Sequence, residues 1–309
     1  MSEILIVGSL ALDSVTTPFG HRDPSWGGAA LYSSAAASLL APVHLVGVIG
    51  EDFPPEALAI LAARGVHLEG VERVPGGKSF HWAGEYNFAM DTATTLDTQL
   101  NVFADFNPRV PEAARGAEFV FLANITPALQ LQVLDQMTGP RLVLCDTMNF
   151  WIKNARADLL EVLSRVDGAA MNDAEVRELT GTPNLTRAAD EILALGPRFL
   201  LLKKGEYGAS LITREGHFAL PCYPLPNVFD PTGAGDSFAG GFIGCLAWLS
   251  SVDEPALRQA LALGTVTASA CVEAFSWDAL LKLTDESLYG RYEELREMVR
   301  LEPCPLRNA

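Results

Sequence analysis

The sequence predicts an α/β protein: a central, mostly parallel sheet covered by helices on both faces, with a small β-sheet beside it. Three observations carry that expectation. Short strand-like and longer helix-like segments alternate through most of the chain. The strand-like segments are apolar throughout rather than at every second residue, as strands covered on both faces are. Two stretches, 14–26 and 71–107, break the alternation and lack helical periodicity.

In chain order, strands are predicted at Ile4–Val7, Val43–Val48, Phe119–Leu122, Arg141–Cys145, Gly168–Met171 and Phe199–Leu202. Each is short, apolar and followed by polar residues or glycine. Helices are predicted at Ala29–Leu40, Pro55–Arg64, Pro127–Gln136, Ala157–Leu163, Ala174–Leu179 and Ala188–Leu195. Three more follow near Gly235–Leu249, Pro255–Val272 and Ser287–Val299. The turn-rich stretch from Gly205 to Pro221 suggests antiparallel strands at the sheet edge. A structureless loop as long as 71–107 is unusual in a compact domain. The two irregular regions are therefore expected to pair as strands into a small lid inserted into one domain spanning 1–309.

A chain of 309 residues with 49% hydrophobic and 19% charged content has ample material for a core. Its formal net charge of -16 argues against nucleic acid or an anionic membrane as partner. Five scattered cysteines without a C-x-x-C pair (Cys145, Cys222, Cys245, Cys271 and Cys304) suggest reduced thiols in a cytoplasmic protein. Glu3 sits where a signal peptide would carry basic residues. The longest apolar stretch, Ser237–Val252, is shorter than the roughly 20 residues that span a bilayer.

The most informative segment is Asp-Pro-Thr-Gly-Ala-Gly-Asp-Ser-Phe-Ala-Gly-Gly at 230–241. It reads as a glycine-bearing loop opening a helix, with Asp236 in the first turn. Free N–H groups of a first turn form a cradle for anionic oxygens. A carboxylate beside such a cradle opposes simple anion binding, but it suits a base that deprotonates a hydroxyl attacking a phosphoryl group. Asn172 and Glu175, three apart where an apolar strand gives way to a helix, fit either a capping box or a holder of magnesium-bound water. Lys203 and Lys204 end another strand.

Four motifs in order resemble the PfkB (ribokinase-like) family of carbohydrate and nucleoside kinases. They are Trp-Gly-Gly-Ala-Ala-Leu-Tyr at 26–32, Asn-Asp-Ala-Glu at 172–175, Lys-Lys-Gly-Glu-Tyr-Gly-Ala at 203–209 and Asp-Pro-Thr-Gly-Ala-Gly-Asp at 230–236. The resemblance implies a ribokinase-like fold and an ATP-dependent kinase acting on a hydroxyl of a sugar or polyol. It implies Asp236 as catalytic base and Gly233, Ala234 and Gly235 as anion hole. Asp13, Gly27, Gly28 and Tyr32 fall at substrate positions; Lys203, Gly205 and Gly208 lie by the nucleotide, with 268–275 as its adenine-side wall. Asn172 and Glu175 would hold Mg²⁺ through water. Asp230 and Thr232 match positions that bind a monovalent cation, which brings in K⁺. Lids of this family pair between subunits, so a homodimer through the lid is expected.

Two residues depart from the pattern. Pro231 replaces the usual Thr, and proline suits an approach to a helix. Tyr32 replaces an Asn that contacts ribose; a phenol is larger and makes fewer hydrogen bonds, which points away from ribose and leaves other sugars, polyols, nucleosides and inositol open. His81, Trp82, Phe103 and Phe106 either close over substrate or pack the lid's own core. A non-catalytic sugar- or nucleotide-sensing protein is the alternative of another class. A dinucleotide-binding dehydrogenase is disfavoured, because Gly8–Asp13 supplies no G-x-G-x-x-G.

Overall fold

A computed structural model describes residues 2–302, and Cys304 lies outside them. The strands are β1 (Ile4–Val7), β2 (Ala11–Thr17), β3 (Gly20–Gly27), β4 (Val43–Gly50), β5 (Val66–Val74), β6 (Phe80–Tyr86), β7 (Ala93–Gln99), β8 (Phe119–Leu122), β9 (Leu142–Asp146), β10 (Gly168–Asn172), β11 (Phe199–Lys203), β12 (Ala209–Thr213) and β13 (His217–Leu220). The helices are α1 (Ala29–Ala37), α2 (Pro55–Ala63), α3 (Pro127–Leu134), α4 (Asn149–Asn154), α5 (Arg156–Arg165), α6 (Asp173–Thr180), α7 (Leu185–Ala194), α8 (Ala234–Leu249), α9 (Glu254–Cys271) and α10 (Asp285–Met298).

Nine strands form one sheet in the order β13-β12-β11-β10-β9-β8-β1-β4-β5. The run from β11 to β5 is parallel, and β12 and β13 close one edge as antiparallel strands. Strand β1 is central because all four of its side chains are apolar and fully buried. Ile4 and Ile6 enter the core under α1, α8 and α9, whereas Leu5 and Val7 enter the core under α5, α6 and α7. One apolar run thus serves both layers. Among the described residues, no helix is long and apolar enough to cross a membrane.

The second sheet has four strands in the order β3-β2-β6-β7. Its β2–β3 and β6–β7 pairs are antiparallel, and β2 pairs with β6 in parallel. This is the small sheet expected from the two irregular stretches, with shifted bounds. Residues 71–74 belong to β5 of the main sheet instead, and 101–105 form a 3₁₀ turn. Strand β5 lies at the sheet edge: Leu68 and Val71 pack inward while Glu69 and Glu72 stay exposed, so no apolar run marks it. The short helix α4 also went unpredicted.

Helix α8 (Ala234–Leu249) begins within the informative segment, carrying its residues 234–241, and is almost wholly buried between α1 and α9. Phe242 anchors it to the sheet, its ring 5.8 Å from that of Phe199 on β11. Truncating a fully buried phenylalanine removes its contacts and leaves a cavity. Phe242→Ala is expected to lower unfolding free energy by about 3–5 kcal/mol in urea titrations. Phe242→Leu, which keeps most of the volume, is expected to cost less than half of that; equal losses would argue against a packing role.

Candidate active site

Parallel strands deliver their carboxyl ends to one edge of the sheet, and three neighbours place polar residues there. Asp146 ends β9, Asn172 ends β10 and Lys203 ends β11. The N-terminus of α8 comes to the same edge: a Cβ on Gly235 would sit 3.3 Å from Lys203 Nζ. Lys203 donates to Asp146 Oδ2 at 2.6 Å, and both side chains are largely out of solvent. Burial alone would lower the ammonium's pKa, but Asp146, Glu175 and Asp236 outweigh it and raise it. The lysine therefore stays charged in the middle of three acids.

Asn172 and Glu175 form a complete capping box at the start of α6. Asn172 Oδ1 accepts from the Glu175 amide at 2.8 Å, and Glu175 Oε2 accepts from the Asn172 amide at 2.7 Å. The cap fixes both side chains toward the cluster. Burial pushes the Glu175 carboxyl up to about 7; Asp146 adds to the rise and Lys203 opposes it.

Gly233 is the N-cap of α8 at φ +77, a left-handed conformation open to glycine, and a Cβ there would run into the ring of Tyr32. The first turn then presents its amides. Ala234 is an exception to the expected anion hole, because its N–H donates to the Pro231 carbonyl at 3.1 Å. Among the described residues, the amides of Gly233, Gly235 and Asp236 have no partner, so these three stand free for a ligand. Asp236 lies half-buried beside them. Burial and then Asp146 push its carboxyl up to about 7, against the pull of Lys203.

Tyr32 differs from expectation. Its side chain is buried under the 233 turn, with 1% of the residue exposed. It supports the loop rather than facing an open acceptor pocket, which follows from its place on the inward face of α1, whose residues are all buried.

Asp13 lies on β2, its carboxyl folded over Gly27, where any side chain would collide with it. Its Oδ1 is buried without a hydrogen-bond partner. Burial raises the carboxyl to about 8; the Trp82 main chain opposes this, and Asp230 and Asp236 add to it. Gly28 caps α1 beside it. Asp230 is fully buried and accepts from the amides of Thr232 at 2.9 Å and Ser276 at 3.1 Å.

The small sheet is tied to this loop. The Thr232 hydroxyl donates to Tyr86 of β6 at 3.3 Å, Thr17 of β2 donates to the Phe229 carbonyl at 2.9 Å, and Ser276 donates to the Trp26 carbonyl of β3 at 2.5 Å. The lid aromatics mostly pack on their own surroundings. Trp82 lies over Gly84 and donates to Thr95, the His81 ring bonds the Leu12 carbonyl, and Phe103 packs between Phe80 and Phe106. On the far side, Gly205 and Gly208 bound the turn between β11 and β12.

Asp146 and Tyr86 went unnoticed in the sequence. Asp146 had one readable signal, a lone acid closing an apolar parallel strand, where α/β ligands bind. Tyr86 had none, since its strand lies in the irregular region.

The pfkB family carbohydrate kinase model matches residues 23–281. A cytidine kinase of Thermococcus kodakarensis is 32% identical over 253 residues, covering 79% of this chain and 88% of that protein. The crystal structure of Methanocaldococcus jannaschii nucleoside kinase, an archaeal member of the ribokinase family, superposes with a TM-score of 0.77 at 23% identity, covering 95% of this chain and 99% of that one. A putative ribokinase II from E. coli in complex with ATP and Mg²⁺ gives 0.77 at 18% identity, over 95% of this chain and 100% of that one.

The raised Asp236 carboxyl has a consequence for stability. Its folded pKa of about 7 exceeds the ordinary 3.8, so its proton favours the fold below about pH 4 and that contribution is lost as pH rises to about 7. Asp236→Asn is therefore expected to raise the melting temperature of the ligand-free protein more at about pH 8 than at about pH 4.5. Calorimetry at both pH values checks this; equal shifts would contradict it.

Proposed function

The chain belongs to the pfkB family of carbohydrate kinases, and on that premise we propose that it uses ATP to phosphorylate a ribose hydroxyl of a nucleoside, with Asp236 as general base. One observation carries the assignment of the base: a raised carboxyl beside three unpartnered first-turn amides at the carboxyl edge of the sheet. Retention of both base and cradle favours catalysis over non-catalytic sensing.

Asp236 takes the proton from the acceptor hydroxyl as its oxygen bonds to the γ-phosphorus. The bond from phosphorus to the bridging oxygen breaks, and ADP leaves with the electron pair. The amides of Gly233, Gly235 and Asp236 hold the phosphoryl oxygens as charge spreads over them. Lys203, facing Gly235, adds positive charge on the phosphate side, and the turn at Gly205 and Gly208 borders the nucleotide with 268–275.

The donor set fits a hydrated Mg²⁺: Asp146, Glu175 and Asp236 outnumber Lys203, and carboxylates with an amide oxygen suit this hard cation. Glu175 and Asp146, with Asn172 supporting Glu175, would hold its waters. The ion supplies charge neutralisation on the phosphates. Asp230 is fully buried, the Thr232 and Ser276 amides that donate to it are neutral, and burial raises its carboxyl, which fits K⁺ near Asp230 and Thr232.

Asp13 supports the acceptor reading, because a buried, orphaned carboxyl oxygen is costly until a hydroxyl donates to it. The kinship to a cytidine kinase favours a nucleoside over a bare sugar, polyol or inositol. In this reading the whole chain is one kinase domain, and the small sheet is its lid, excluding water on closure. Exposed Phe88 in the β6–β7 turn and Leu96 on β7 support a homodimer paired through that sheet, and buried free thiols support a cytoplasmic setting.

Asp236→Asn is expected to lower turnover by about 10²–10⁴-fold while largely keeping the KM for ATP. Near-wild-type turnover would remove the assigned base. An ADP-release assay across cytidine, other nucleosides, ribose, fructose and myo-inositol is expected to favour a nucleoside in kcat/KM. Preference for a bare sugar or inositol would overturn the acceptor reading alone. Replacing potassium chloride with choline chloride is expected to slow turnover.

A further inference from the structure

At the opposite, amino-terminal end of the parallel sheet lies a cluster that the phosphoryl-transfer site does not use. His44 is the second residue of β4, His67 the second of β5, and Glu3 immediately precedes β1. His44 and His67 are register partners on adjacent strands, and a bulge follows them directly. Bulges re-aim side chains.

We propose that His44, His67 and Glu69, with Glu3 at their side, bind a zinc-like divalent transition-metal ion. One ligand atom from each of the three residues lies within 4.8 Å of the others. The imidazoles are stacked, with centroids 4.6 Å apart at 19°. His44 Nε2 and Glu3 Oε2 already stand 3.2 Å apart. With bond lengths of about 2.0–2.2 Å, ligands on a tetrahedral ion are roughly 3.3–3.6 Å from one another. The His44–Glu3 pair, at 3.2 Å, stands just inside that spacing and needs only a slight parting, whereas closing the cluster requires an inward turn of His67 and Glu69. Both are exposed, so solvent leaves room for that turn, while His44 is buried.

The ligand chemistry selects the ion. Two imidazoles and one or two carboxylates suit Zn²⁺, Co²⁺ or Ni²⁺ rather than Mg²⁺, which prefers oxygen and retains water. Two carboxylates also balance the charge of a dication. A bound ion would tie the edge strand β5 to β4 and to the start of β1. Because β5 leads into the small sheet, the ion would brace the strand from which that sheet departs, far from the phosphoryl cradle at the other end of the strands.

Untagged protein titrated with Co²⁺ tests this. Low-symmetry cobalt bound to nitrogen absorbs intensely in the visible, whereas octahedral cobalt at an all-oxygen magnesium site absorbs weakly. Wild type is expected to develop the intense band with one equivalent and lose it to Zn²⁺. His67→Ala and Glu69→Gln, both changes at exposed positions, are expected to bind cobalt at least tenfold more weakly with unchanged kinase activity. Zn²⁺ is expected to raise the melting temperature of wild type but not of His67→Ala. No intense band, or the same band and thermal shift in wild type and His67→Ala, would overturn the site.

Discussion

A buried ammonium among carboxylates governs the chemistry of this fold. Lys203 meets Asp146 at 2.6 Å, with Glu175 and Asp236 also in its field. Burying an ion pair costs desolvation that its own attraction barely offsets, so such a pair is a poor device for stability alone. Its value lies in what it does to its neighbours. Without the lysine, burial and mutual repulsion would hold Asp236 and Glu175 protonated still further above their ordinary range. With it, both titrate near neutrality, where a base can accept a proton and an acid can hold a cation's water. The excess negative charge that remains is what an incoming hydrated cation would relieve.

The geometry follows from topology. Parallel strands β9, β10 and β11 all point their ends the same way, so adjacent strand ends bring Asp146, Asn172 and Lys203 together without a dedicated loop. Helix α8 completes the arrangement with free amides, and the Tyr32 ring packs directly under Gly233 at its start. The small sheet is joined to that loop through Tyr86 at Thr232, through Thr17 at Phe229, and through Trp26 at Ser276, whose amide donates to Asp230, so its position and the shape of the 230–233 turn are linked. Asp13 spans the two parts, carried on a strand of the small sheet while in the field of Asp230 and Asp236.

What the sequence made legible has a physical pattern. Strands covered on both faces are apolar throughout, and Ile4–Val7 and Phe119–Leu122 fall at their expected bounds for that reason. Asp236 was legible because glycine, helix start and acid are all local. So was the capping box of Asn172 and Glu175, which the structure shows complete at the start of α6. The failures are tertiary. Asp146 gains meaning only when β10 brings the ends of β9 and β11 to one edge. Ala234 loses its amide to a turn that spacing does not reveal, and Tyr32 proves to be support because α1 is buried on every side. Edge strand β5 has one wet face and so escaped a pattern built on dry ones.

The central claim is that Asp236 is a base tuned to neutrality by burial, by Asp146 and by Lys203. Carboxyl ¹³C NMR of the aspartates across pH tests it most directly, with Asp236→Asn to assign the signal. The account predicts one resonance, missing in that variant, that titrates near pH 7 and moves higher when Lys203 is replaced by Met. A signal titrating at the ordinary 3.8, unmoved by loss of the lysine, would contradict it.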